Sequence, residues 1–186
     1  MRWWVFILFA YLVVALQVGV ADALAIPSRF GAIQPRLILL LAVFVGLSAA
    51  PGVALAAWVA LGLVVDLVSP QPGVTLVGPY ALGYLVAGYV LLQGRTMVFR
   101  QHPLTMGMMI LVCGLAAHLV VVLVFSIRTW YDPLPGFSGG TELVRRFFSL
   151  LVTGLLGVIL AGPIFRLAPV FGFHFGKTAG AGRRSR

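Results

Sequence analysis

Six apolar runs, divided by prolines, glycines and charges, dominate this sequence of 186 residues. They cover about 3–24, 36–49, 53–67, 76–93, 104–127 and 142–161. A helix that spans a bilayer needs about 20 residues at 1.5 Å each. Six such runs with short connections use up the chain and leave no room for a sizeable soluble domain. Soluble domains are roughly 45–50% apolar and about 25% charged, whereas this chain is 61% hydrophobic and 9% charged. The sequence therefore predicts an all-α integral membrane protein, a bundle of about six transmembrane helices. It forms a single membrane domain over 1–176, with a basic, disordered tail over 177–186.

Arg2 before an apolar run, with Ala23-Leu24-Ala25 after it, has the look of a signal peptide. Trp3 to Val20 is 18 residues long, beyond the roughly 7–15 of a signal core, and reads as the first span. Pro35 suits the first position of the second helix, where its missing N–H is no loss. The third run carries Asp66 near its end, before Ser69-Pro70-Gln71-Pro72-Gly73, which cannot continue a helix. Runs two and three are short, and form either tilted spans or a re-entrant hairpin. Both leave the orientation of everything downstream unchanged. Pro79 lies in the first turn of the fourth run, and the fifth contains Cys113 and His118. Thr141 caps the sixth with Glu142 in its first turn, favoured by the helix dipole. Pro163 is expected to end or kink that helix, leaving Phe165, Phe171, Phe173 and Phe175 along the membrane interface.

The formal net charge is +9. Because the charges are scattered between apolar runs, they point to topology and not to nucleic acid. With the N-terminus inside, the inner parts hold Arg2, Arg95, Arg100, Arg166, Lys177, Arg183, Arg184 and Arg186. The outer parts hold Arg29, Arg36, Arg128, Arg145 and Arg146. The positive-inside rule then places both termini in the cytoplasm. Small residues four apart, Gly46 and Ala50, Gly83 and Ala87, Gly157 and Ala161, are suited to close helix packing. No internal repeat of the transporter kind is present.

Asp66 and His118 are the ionisable candidates inside the bundle. Each lies 14 positions from the start of its run, counted from Gly52 and Leu104, about 21 Å along a helix, so both belong at one level. Two readings stay open. One is a proton relay or polar pocket. In the other, Asp66 reaches the interface or pairs with Arg36 or Arg128, while His118 hydrogen-bonds a neighbouring helix. Gly136-Phe137-Ser138-Gly139-Gly140 fits G-x-S-x-G, but that motif needs a strand before it and a helix after it. It also resembles the G-x-S-G of rhomboid intramembrane proteases, which need a later helical histidine. Only His174 follows, beyond Pro163 and Pro169, and a glycine-rich connection explains the same residues. One cysteine, Cys113, excludes an intrachain disulfide and a thiolate cage. No H-E-x-x-H, P-loop or dinucleotide fingerprint is present. Neither metal nor cofactor is expected, and no enzyme.

The stretch from Gln34 to about Leu92 resembles the rod shape-determining protein MreD family, small bacterial inner-membrane proteins. The resemblance rests on Gln34-Pro35-Arg36-Leu37-Ile38-Leu39-Leu40-Leu41, on Gly62 with Asp66-Leu67 before Ser69-Pro70, on Gly78-Pro79-Tyr80-Ala81-Leu82, and on Gly88-Tyr89. The interval from Asp66 to Gly78 is about four residues longer than the family's pattern, and the chain ends carry no matching motif. The resemblance implies a non-enzymatic scaffold of the elongation machinery in the cytoplasmic membrane, contacting membrane lipids. It would bind a bitopic MreC-like partner and act with MreB, RodA and a penicillin-binding transpeptidase in side-wall peptidoglycan synthesis. Pro35, Gly62, Asp66, Gly78, Ala81, Gly88, Tyr89 and His118 are its candidate structural or interaction residues. The MreD fold is similar to the substrate-binding S-components of energy-coupling-factor vitamin transporters, which makes such a component the alternative.

Overall fold

The structure, a computed structural model, describes residues 2–20, 23, 25–28, 31–68, 77–96, 102–131 and 139–173. The Ser69 to Gly73 turn, Gly136 to Ser138, His174, Phe175 and the basic tail lie outside the described residues. In chain order the elements are α1 (Trp3–Val20), β1 (Ile26–Ser28), β2 (Gly31–Ile33), α2 (Leu37–Ser48), α3 (Pro51–Val68), α4 (Pro79–Gly94), α5 (Pro103–Arg128) and α6 (Gly139–Arg166). Four of the helices, α1, α3, α5 and α6, are long and apolar enough to cross a membrane. The connection between α1 and α2 holds a short antiparallel hairpin in which Pro27 faces Ala32.

Prolines set the starts of α3, α4 and α5, since a first-turn residue needs no N–H and benefits from a fixed φ. Pro35 stands differently from its expected place. It is outside α2, and Arg36 is the N-cap. The carbonyl of Arg36 accepts from Leu39 and Leu40 at 3.1 and 3.3 Å, so the helix begins at Leu37, two residues after Pro35.

The short α2 is the centre of the bundle. Its 12 residues make a helix of about 18 Å, too short to cross a hydrocarbon core of about 30 Å. It is buried on every side from Ile38 to Leu47, as expected of a helix that is apolar all round. Helices α1, α3, α4, α5 and α6 all pack on it, and α3 to α6 follow one another around it. At the outside, α1 packs on α2 and α3 and buries only Phe6.

Small residues allow close crossings. A Cβ on Gly107 of α5 would lie 3.0 Å from the Gly154 carbonyl of α6. Gly83 with Ala87, and Gly157 with Ala161, lie in helix contacts; Gly46 lies on Trp58, while Ala50 is exposed.

Two features at the far end of α6 bear on the expectation that Pro163 ends or kinks the helix and that phenylalanines follow along the interface. The helix runs on through Pro163 to Arg166. The proline therefore does not end the helix; it removes one N–H and crowds the carbonyl four residues back, which a helix in an apolar setting tolerates when neighbouring helices pack on both halves. The chain after Arg166 turns back onto the bundle, so that its phenylalanines are packed inside it. Phe171 and Phe173 are buried and stack at 5.8 Å. Phe44 of α2 meets Phe171 edge-on at 5.4 Å, and Phe9 of α1 meets it at 4.9 Å. The Arg2 N–H donates to the Phe171 carbonyl at 3.0 Å, so both ends of the described chain meet at one end of the bundle.

Candidate functional site

Polar side chains gather at the opposite end, where α3 and α5 finish and α2, α4 and α6 begin. Each helix start leaves backbone N–H groups without intrahelical acceptors, and in apolar surroundings each must find another. For α2 the acceptors come from other helices. The Gln34 and Arg36 N–H groups donate to Ser149 Oγ at 3.4 Å and Thr153 Oγ1 at 2.8 Å, both on α6. The Ile38 N–H donates to Gln17 Oε1 of α1 at 3.0 Å.

For α4 the acceptor is a single carboxylate. Asp66, buried in the last turn of α3, accepts from the N–H groups of Gly78 at 3.0 Å, Tyr80 at 3.1 Å and Ala81 at 3.0 Å. A negative charge at a helix N-terminus is also favoured by the dipole. The geometry requires two glycines. Gly78 takes a φ of 132°, which side chains other than hydrogen rarely adopt. A Cβ on Gly62, one turn before Asp66, would lie 2.8 Å from Ala81 Cα and 2.9 Å from the Tyr80 carbonyl oxygen. Only a bare α3 backbone brings the carboxylate within reach.

From Tyr80 the network continues to α5 and α6. The Arg146 guanidinium lies over the Tyr80 ring, 5.4 Å from its centroid, a cation–π distance. Its Nε donates to Glu142 Oε1 at 2.9 Å, and its Nη1 lies 3.4 Å from Nδ1 of His118. Arg145 Nη2 donates to the same Glu142 oxygen at 2.6 Å. Arg146 is 2% exposed and His118 5% exposed. Arg36, the N-cap of α2, stands at the same end, its N–H bonded to Thr153 of α6. The cluster thus draws one group or more from each of α2, α3, α4, α5 and α6.

Asp66 and His118 belong to one network, linked through Tyr80 and Arg146 and not by direct contact. The Asp66 carboxylate bonds backbone N–H groups, where pairing with Arg36 or Arg128 was one expectation. Gly62, Gly78 and Ala81 surround it, and Gly88 packs the next turns of α4 against Trp58, whose Cγ would be 3.0 Å from an added Cβ. Tyr89 lies apart, exposed, its hydroxyl accepting from Gln93 Nε2 at 3.0 Å. Cys113 is a buried packing residue, and no metal-binding group of three or more His, Cys, Asp or Glu occurs among the described residues.

Arg146, Ser149 and Thr153 were not singled out from the sequence. In the sequence Arg146 counts only as one of the outer positive charges, at the entrance of the sixth run. A signal was present, because Glu142 and Arg146 are four apart, the spacing of facing helix pairs, at the start of an apolar run. Ser149 and Thr153 gave none, since their partners lie 115 and 117 residues away.

An apolar cavity of about 190 Å³ lies between α1, α2 and α6, lined among others by Phe9, Leu12, Leu40, Phe44, Leu160 and Ile164. No family model, curated protein or solved structure matches the chain.

Proposed function

We propose that this chain is a non-enzymatic scaffold in a bacterial cytoplasmic membrane, similar to MreD, that holds a bitopic MreC-like partner within the cell-elongation complex. The observation that carries the reading is the α3–α4 junction. Gly62, Asp66, Gly78, Ala81 and Gly88, on which the resemblance rests, all lie where these helices meet. The Asp66 carboxylate is saturated by backbone donors, which suits a shape-setting role better than a reacting one. The exposed apolar flank of α1, including Trp4, Leu8 and Tyr11, supplies surface for lipid or for a partner's single helix. With both termini cytoplasmic, as the Lys and Arg asymmetry argues, the polar end faces outward, toward the enzymes that build the side wall.

Depletion of the protein tests this. Rod-shaped cells are expected to round or widen; intact shape with loss of uptake of one vitamin overturns the reading. That second outcome belongs to the alternative, an S-component of an energy-coupling-factor transporter. The convergence of Arg36, Tyr84, His118 and Arg146 at one end favours it, since a binding site concentrates a few polar groups in apolar walls.

A further inference from the structure

The buried cluster has more donors than acceptors. A guanidinium only donates, so the contact from Arg146 Nη1 makes His118 Nδ1 the acceptor and puts the imidazole proton on Nε2. That Nε2–H is buried and has no hydrogen-bond partner among the described residues. Among the described residues the positive groups at this end outnumber the negative ones as well. Arg145 and Arg146 share one carboxylate, Glu142, while Arg36 stands at the same end of the bundle, its backbone N–H bonded to Thr153 of α6 at 2.8 Å. The other carboxylate, Asp66, holds the start of α4. No hydrogen bond or ion pair is made by the Arg36 guanidinium among the described residues. Buried charges and buried donors are stable when paired, and here the missing partner is an anion with several acceptor oxygens.

We propose that Arg36, His118 and Arg146 form a binding site for a phosphate group at this end of the bundle. Its donors are carried by three separate elements, the N-cap of α2, α5 and α6, and a phosphate, with more acceptor oxygens than a carboxylate, can take hydrogen bonds from all three. Arginine is also the side chain best matched to phosphate. Glu142, 16% exposed at its side chain, marks the less enclosed side of the cluster. The phosphate belongs either to a lipid headgroup, which lies at the level of helix ends, or to a soluble phosphate ester. The site rests on these contacts and not on the scaffold reading, so a failed partner pull-down leaves it standing.

The test uses the full-length protein, delipidated in detergent, titrated with inorganic phosphate, with dihexanoyl phosphatidylglycerol and with dihexanoylglycerol, which lacks the phosphate. Calorimetry and phosphorus NMR line broadening read the binding. Saturable binding of a phosphate-bearing probe is expected, with none of dihexanoylglycerol. Binding of the lipid alone identifies a headgroup site, and binding of inorganic phosphate identifies a site for the group itself. R36Q and H118F are expected to weaken binding at least tenfold, while R166Q, at the exposed far end of α6, leaves it unchanged. Should a variant fail to give a monodisperse protein, the wild-type NMR titration with and without the phosphate-free probe decides. No saturable binding of either phosphate probe, or equal binding by R36Q, H118F and R166Q, overturns the site.

Discussion

Asp66 accepts the backbone N–H of Tyr80 at 3.1 Å, joining the last turn of α3 to the first turn of α4. The same Tyr80 carries Arg146 over its ring. One carboxylate therefore fixes both a helix junction and the platform on which the buried arginine rests.

Replacing Asp66 by Ala removes the acceptor of three N–H groups at once. Hydrogen bonds to a charged group contribute roughly 1.5–3 kcal/mol each, with incomplete additivity, so a loss of about 3 kcal/mol is expected. Asp66→Asn keeps one acceptor oxygen and should fall between. Thermal unfolding in detergent followed by tryptophan fluorescence measures both. A melting temperature for Asp66→Ala equal to wild type would contradict the junction.

Glycine substitutions separate close approach from helix propensity. Gly62→Ala places a Cβ against the backbone of α4 and should destabilise by about 1–3 kcal/mol, the range for overpacking. Gly52→Ala, in α3 with nothing within 4 Å, should be neutral or stabilising by up to about 1 kcal/mol. The same unfolding assay compares them, and a reversed order would sink the proposed helix contact.

Two adjacent arginines should behave differently. Arg146→Ala leaves His118 Nδ1 without its donor and breaks a buried pair, which typically costs about 3–5 kcal/mol. Arg145 makes the shorter bond to Glu142 but is 35% exposed at its side chain, and its loss should cost no more than about 1 kcal/mol. Denaturant or thermal unfolding of the two variants side by side reads the difference.

Phe171→Ala tests the returning C-terminal segment. The ring sits among Phe9, Phe44 and Phe173, and a large aromatic cut to alanine in a packed core loses about 3–5 kcal/mol. On a chain lying flat at the interface the same change would be close to silent, so the size of the shift distinguishes the two placements.

The six helices were legible because apolar runs and first-turn prolines are local signals. The end of α6 was not: whether a proline such as Pro163 breaks a helix depends on the helices packed beside it. Phe171 and Phe173 read as interfacial until Phe44, more than a hundred residues earlier, is placed against them. Asp66 could be singled out as unusual, but its partners are backbone N–H groups, which every residue carries and no side-chain pattern reveals. Arg146 shows the converse. Its pairing with Glu142 is written in the spacing, while its burial depends on α4 and α5 closing over it.

The central claim, that this bundle is a scaffold for a membrane partner, is tested most directly by affinity purification of the tagged protein from its native membrane, with identification of bound proteins and small molecules. The account expects a bitopic partner with one membrane helix and an outer domain, recovered in near-stoichiometric amount and reduced by Asp66→Ala. Recovery of a transporter energising module with a bound vitamin, and no bitopic partner, would contradict it.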